Sequence, residues 1–223
     1  NASEESFKAI VDIIEQNYRI YKNDLGDDIE ITEIPEELKA KTEELRHTLI
    51  LCLADADDIF AEKYLEEKEI TQEDIKGAIR RSVIKNQFIP VLCGSSLKNK
   101  GVQLVLDAVC DYLPSPLDVP PVKGIDPAPK EEIVREVDTK APLSALVFKV
   151  ATDPYVGKLF YTRIYSGMIT QGAQVYNASE QKRERISKIL VMHANKQEIV
   201  NQAGAGEIIA LVGLKDSKSG NTI

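Results

Sequence analysis

Gly94-Ser95-Ser96-Leu97 follows the apolar run Ile89-Pro-Val-Leu-Cys93, and a helix-like stretch then runs to Leu113. A small polar loop at the carboxyl end of a core strand is where open α/β sheets hold ligands. A second set of candidates is cationic. Lys158, Arg163, Arg183, Arg185, Lys188, His193 and Lys215 fall along strands or at loop ends in the second half of the chain. Cations so placed suit phosphate groups, with an affinity that falls as salt rises, or else form an ordinary basic surface. Catalytic constellations are missing from the sequence. No Gly-x-x-x-x-Gly-Lys-Ser/Thr phosphate loop occurs, and the interval from Gly213 to Gly220 is too long and lacks the required ending. The paired carboxylates Asp57-Asp58 and Glu66-Glu67 have no histidine or nucleophile beside them and read as solvated helix ends. His47 and His193 are the only histidines, and neither has a ligand-spaced companion, so no metal site is expected.

Two kinds of element must position these residues. In the first half, residues 7–14 and 17–21 are β-branched and aromatic runs, read as strands, and residues 29–34 alternate like a half-buried strand. Pro35 suits the first turn of a helix. Leu38, Leu45, Thr48, Leu49, Cys52, Leu53 and Ala56 then recur near a 3.6-residue period, and a second helix or bent extension covers 57–65. Thr71-Gln-Glu-Asp74 is a capping signature opening a helix through about Ile84, with Ile75, Ile79 and Val83 on one face. In the second half the pattern changes to strands over 144–150, 158–165, 168–176, 184–192, 197–200, 206–213 and 221–223. Gly, Asn and Asp punctuate them. Such short strands indicate a small barrel, which closes its exposed sheet edges.

The 223 residues, 43% apolar, suffice for one large domain or two of ordinary size. No run approaches the roughly 20 apolar residues of a membrane span, and no secretory leader is present, so a cytoplasmic protein with no membrane partner is expected. Asn1-Ala2 reads as a trimmed end. Cys52, Cys93 and Cys110 are odd in number and set in apolar surroundings, which suggests buried free thiols. The net charge of −8 is uneven: residues 1–124 hold 25 acidic and 15 basic side chains, residues 125–223 hold 11 and 13. An acidic front half suits a basic protein partner, or is simply a soluble surface. Pro120, Pro121, Gly124, Pro127, Pro129 and Pro142 mark residues 121–142 as an extended linker.

Cys93-Gly-Ser-Ser-Leu-Lys98 resembles the last guanine-contacting loop of GTP-binding proteins. Together with Asn99-Lys-Gly-Val-Gln103 and Leu106-Asp-Ala-Val-Cys-Asp-Tyr-Leu-Pro-Ser-Pro-Leu-Asp-Val-Pro-Pro121, it is similar to bacterial translation elongation factor G. Tyr64-Leu65 and Thr71 to Arg81 resemble the end of the insertion in that family's GTPase domain. Ser144-Ala-Leu-Val-Phe-Lys-Val150, Asp153-Pro-Tyr-Val-Gly-Lys-Leu159, Arg163-Ile-Tyr-Ser-Gly167, Tyr176-Asn177, Met192-His-Ala-Asn195, Ala205-Gly206 and Gly213-Leu-Lys-Asp216 resemble its second, barrel domain. Ser96 stands where the family has Ala, and Asn221 where it has Asp. Asn99-Lys100-Gly101 looks like the guanine-reading Asn-Lys-x-Asp, but Val102 replaces the carboxylate.

The resemblance implies a fragment of a ribosomal translocation GTPase, organised in four parts. An acidic α+β or α/β insertion covers 1–88, the last strand, guanine loop and helix of the GTPase core cover 89–120, a linker covers 121–142, and an all-β barrel covers 143–223. In the family the amide of the loop's middle residue faces the guanine. The parent would use GTP and magnesium, whereas this chain should bind neither tightly nor hydrolyse GTP. The barrel would rest on small-subunit ribosomal RNA and the insertion on the ribosomal stalk protein. The alternatives are a ribosomal protection protein or release-factor GTPase, and a stand-alone protein-interaction module. An acid/base enzyme lacks any suitable constellation. A core strand without its sheet neighbours would also expose apolar surface at 89–92 and favour self-association.

Overall fold

Three short strands open the chain. β1 (Ala9–Asp12), β2 (Asn17–Tyr21) and β3 (Ile29–Thr32) pair antiparallel in that order, with Ile10 opposite Arg19 and Tyr18 opposite Thr32. The structure is a computed structural model. It describes residues 7–126, 130–194 and 196–223, so Asn1-Ala2, Pro127, Pro129 and Asn195 lie outside the described residues. Two units are distinguished, Asn1–Ser115 and Pro116–Ile223.

In the first unit, Pro35 caps α1 (Glu36–Ala56), its φ of −54° suited to helix entry. The apolar period along α1 is only partly used. Leu49, Ile50, Leu53 and Ala54 reach the core, whereas Leu45 and Cys52 are exposed. A polar contact helps to hold the helix instead: Arg46 donates to the carbonyls of Ile13 and Ile14 at 2.8 and 2.7 Å. α2 (Asp58–Leu65) and α3 (Gln72–Ile84) follow. The capping box at α3 is complete: the Thr71 hydroxyl accepts from the Asp74 amide at 3.2 Å, and the Asp74 carboxylate accepts from the Thr71 amide at 2.8 Å. Lys63 also donates to Asp74, and these bonds hold its carboxyl at about 2, below the usual carboxylate range. α4 (Val102–Tyr112) completes the unit. Leu53, Phe60, Ile75, Ala78, Ile79 and Tyr112 form its core.

Three expectations are corrected here. Asp57 is not a solvated helix end: it is 1% exposed and joins three elements. It caps α2 by accepting from the Phe60 amide at 2.9 Å, and it takes a two-pronged contact from Arg81, both bonds 2.8 Å. The three cysteines are free but exposed. Residues 89–92 form no strand, and Ile89 and Val91 are 83% and 90% exposed. The residues are good strand formers, but a strand needs a ladder, and no described segment lies alongside to supply one.

The second unit begins ahead of the expected linker, and that linker contains a hairpin: β4 (Val122–Ile125) pairs with β5 (Glu132–Arg135). The alternation Glu132-Ile-Val-Arg135 is what a strand requires, and it outweighs the proline-rich composition nearby. The main sheet has the order β12 (Lys196–Val200), β11 (Lys188–His193), β14 (Ile208–Val212), β7 (Gly157–Ser166), β6 (Ser144–Asp153). Two smaller pairs complete the barrel: β8 (Met168–Thr170) with β13 (Gln202–Gly204), and β9 (Gln174–Asn177) with β10 (Lys182–Arg185). Ala145 and Ile223 exchange backbone bonds of 2.7 and 2.8 Å, which extends the sheet beyond β6. The expected single strand over 184–192 is broken at Ile186-Ser187, because Ile186 bonds back to Gly172 and Ala173 while Ser187 pairs with Val212. Inside lie Val147, Phe160, Ile164, Ile169, Ile186, Ile189, Ile209 and Leu211; on the outer face Leu159, Leu190 and Ala210 form a second, smaller cluster.

Candidate functional site

The Gly94-Ser95-Ser96-Leu97 loop is closed on itself. Ser95 and Lys100 exchange backbone bonds of 2.8 and 2.9 Å, and the Asn99 amide donates to the Ser96 carbonyl at 3.2 Å. The middle amide, at Ser95, is therefore engaged within the loop, whereas the resemblance implies that it faces a base. The serines do not cap the following helix either; Gly101 does, at φ +83°. Glycine is required twice here. A Cβ on Gly101 would lie 2.7 Å from Ile10 Cδ1, and one on Gly94 would lie 2.6 Å from the Lys100 carbonyl oxygen.

The loop is also tied to the strands at the start of the chain. Asn99 donates to the Leu25 carbonyl, and the Lys100 ammonium to the Phe7 carbonyl at 3.3 Å. Gly26, at φ +72°, sits so close that a Cβ there would be 2.0 Å from the Asn99 carbonyl oxygen. Gly26→Ala should therefore destabilise the first unit by about 2 kcal/mol, through strain and displacement of the loop. Urea denaturation checks this, and an unchanged midpoint would show that the turn and the loop are not in register.

The cationic candidates divide by position. Phe160 lies opposite Leu211, and Lys188 opposite Val212. Register thus brings Lys158, Lys188 and Lys215 to one end of the main sheet. Arg183 and Arg185 alternate outward on β10, which is fastened to the same end because Glu184 between them accepts from the Lys215 and Asp216 amides at 2.6 and 3.0 Å. Lys182 pairs with Asp216 at 3.0 Å. Arg163 and His193 are elsewhere. Arg163 stacks over Tyr165 at 5.5 Å, and its buried Nε has no hydrogen-bond partner among the described residues. It borders a cavity of about 30 Å³ beneath Pro116, Pro120 and Pro121. His193 is exposed at the far tip of β11, 3.7 Å from Glu198.

Sequence reasoning missed the polar group that organises this end. Glu184 is buried, and its other oxygen accepts from Asn177 Nδ2 at 3.1 Å and Ser217 Oγ at 2.6 Å. Asn177 also donates to Asn221 Oδ1 at 3.2 Å, which in turn accepts from the Lys218 amide at 2.8 Å. Burial raises the Glu184 pKa, but the Ser217 and Asn177 side chains and the Asp216 and Lys215 amides lower it further, to about 2. The signal was present in the sequence. Arg183 and Arg185 point outward at a two-residue period, so Glu184 must point inward.

Among the described residues no group of three or more His, Cys, Asp or Glu is arranged to hold a metal, and no helix is long and apolar enough to cross a membrane. A crystal structure of a protein from Thermus thermophilus matches this fold with a TM-score of 0.76 at 22% identity, covering 100% of this chain and 30% of that one. The chain thus spans under a third of that protein's length, and at this identity the likeness is one of fold. Residues 142–223 match the family model described as elongation factor G domain 2. The likeness to that family is therefore one of the barrel, over residues 142–223.

Proposed function

We propose that the chain is a non-catalytic portion of a ribosomal translocation GTPase of the elongation factor G type. The observation that carries this reading is the family match over 142–223, which follows in the chain the Cys93 to Pro121 stretch that resembles the same family's GTPase domain. GTP and magnesium belong to the whole protein. This chain alone does not bind GTP tightly or hydrolyse it, since most nucleotide affinity comes from triphosphate and magnesium contacts that need a phosphate loop. The basic barrel end, with Lys158, Arg183, Arg185, Lys188 and Lys215, faces small-subunit ribosomal RNA, and the acidic first half meets the basic surface of the stalk protein.

Two measurements test this reading. Co-sedimentation with small ribosomal subunits should show binding that weakens steeply with added salt, because each phosphate contact releases counterions. Arg183→Glu with Lys188→Glu should reduce that binding at least about tenfold, since two attractive contacts become repulsive. Calorimetric titration with GTP should show no micromolar affinity. Salt-independent binding, or tight GTP binding by the isolated chain, would overturn the assignment.

A further inference from the structure

We propose that Glu184 is a positioning residue for RNA binding, the buried anchor that holds Arg183, Lys188 and Lys215 in one array for RNA phosphates. This rests on the ribosomal reading above and adds to it which cations bind and what fixes them.

The cations at this end of the barrel are of two kinds. Lys182 pairs with Asp216 at 3.0 Å and Lys218 with Glu180 at 3.1 Å, so each already has its carboxylate. Arg185 donates to the Gly172 carbonyl at 3.1 Å. Arg183, Lys188 and Lys215 are exposed and, among the described residues, have no carboxylate partner. Cations without a partner of opposite sign are the ones left to donate to phosphate oxygens.

These three come from separate segments: β10, the start of β11, and the loop that follows β14. Register fixes Lys188 opposite Val212. Arg183 is fixed by its place beside Glu184 on β10. Lys215 has no strand to hold it, and its loop is shaped around the same carboxylate. The Lys215 and Asp216 amides donate to one Glu184 oxygen at 2.6 and 3.0 Å, and the Ser217 hydroxyl donates to the other at 2.6 Å. The two ends of the loop are secured without it. Gly213, at φ +105°, lies so close to β10 and β11 that a Cβ there would be 2.7 Å from Ser187 Oγ, and Gly220 donates to the Val147 carbonyl at 2.7 Å. Losing the carboxylate therefore loosens the middle of the loop, where Lys215 sits. A negative charge among phosphate-binding cations opposes binding by its charge alone, so its contribution there is one of position. Cations ordered in advance lose less side-chain freedom when the ligand arrives.

Co-sedimentation of the full chain with small ribosomal subunits over a salt series tests the proposal, with circular dichroism confirming that each variant is folded. Glu184→Gln should weaken binding at least about fivefold, the cost of ordering one or two long side chains. Removing a negative charge would by itself strengthen binding to a polyanion, so the direction of the change separates position from charge. The slope of affinity against salt should stay as in the wild type, because every cation remains, whereas Arg183→Gln should lower it by about 1. Glu184→Asp keeps the charge but falls one methylene short of the loop amides; it should weaken binding less, and it decides the matter if the glutamine variant does not fold. Ile209→Ala opens a cavity at a core position that is 1% exposed, so it lowers stability and should leave binding by the folded chain unchanged. A wild-type chain that does not bind the subunits defeats the ribosomal reading and this proposal with it. If the wild type binds, the positioning role alone is lost by any of three results: Glu184 variants that bind as well or better, a slope that falls in Glu184→Gln as in Arg183→Gln, or equal weakening by Ile209→Ala.

Discussion

Glu184→Gln should lower the stability of the barrel by about 3 kcal/mol, because all four groups that meet this carboxylate are donors. Asn177 Nδ2 and Ser217 Oγ meet one oxygen, and the Lys215 and Asp216 amides meet the other. A glutamine must turn its own NH₂ towards one of these pairs, so two buried donors lose their acceptor while the shape barely changes. Ser217→Ala removes one neutral donor and leaves a satisfied carboxylate, so it should cost only about 1 kcal/mol. Thermal unfolding of the two variants at neutral pH separates these values. Equal losses would mean that the hydroxyl, not the charge, holds the loop.

The same carboxylate makes the barrel sensitive to acid. Its folded pKa of about 2 lies below its ordinary value of 4.5. The folded form therefore binds its proton later than the unfolded form. The stabilisation is complete above about pH 4.5 and is lost as pH falls towards 2, amounting to about 3 kcal/mol over that window. In Glu184→Gln the acid limb should be correspondingly flatter. A wild-type slope retained by the variant would assign the acid sensitivity to other groups.

What could be read from the sequence was mostly periodicity, and what could not was mostly absence or pairing. The barrel strands follow from alternation and glycine punctuation, and the Thr71-Asp74 box and Pro35 set two helix starts at the residues where they occur. Residues 89–92 show the limit of that reading. Their composition says strand, but a strand also depends on neighbours that the local sequence does not describe. Cys52, Cys93 and Cys110 failed for the same reason, since apolar neighbours in sequence are not burial in space. At the candidate site, the outward face of β10 was legible and the inward one was passed over. Arg183 and Arg185 stood out as cations, while the carboxylate between them ties this end together through Asn177, Ser217 and Asn221, residues distant in sequence.

Asp57 shows how a motif read as bland can carry a unit. Asp57→Ala removes the cap of α2, worth about 1 kcal/mol, and the acceptor of both Arg81 bonds. Breaking a buried ion pair costs roughly 3–5 kcal/mol. The Arg81 side chain is 38% exposed, so water recovers part of that loss. The expected total is about 3 kcal/mol, after discounting for screening. Asp57→Asn keeps a cap acceptor but not the charge, and Arg81→Lys keeps the charge but not the two-pronged geometry, so each should lie between wild type and Asp57→Ala. The bond from Arg81, helped by the Phe60 amide, lowers the Asp57 pKa against the opposing effect of burial. Its contribution is therefore present above the ordinary carboxylate range and fades as pH falls below it. Hydrogen exchange localises the effect better than a global melt, because the chain has two units that need not unfold together. Amides of α2 and α3 should exchange faster in Asp57→Ala while those of β7 and β14 do not change; protection lost equally in both units would show that Asp57 acts on more than the junction it joins.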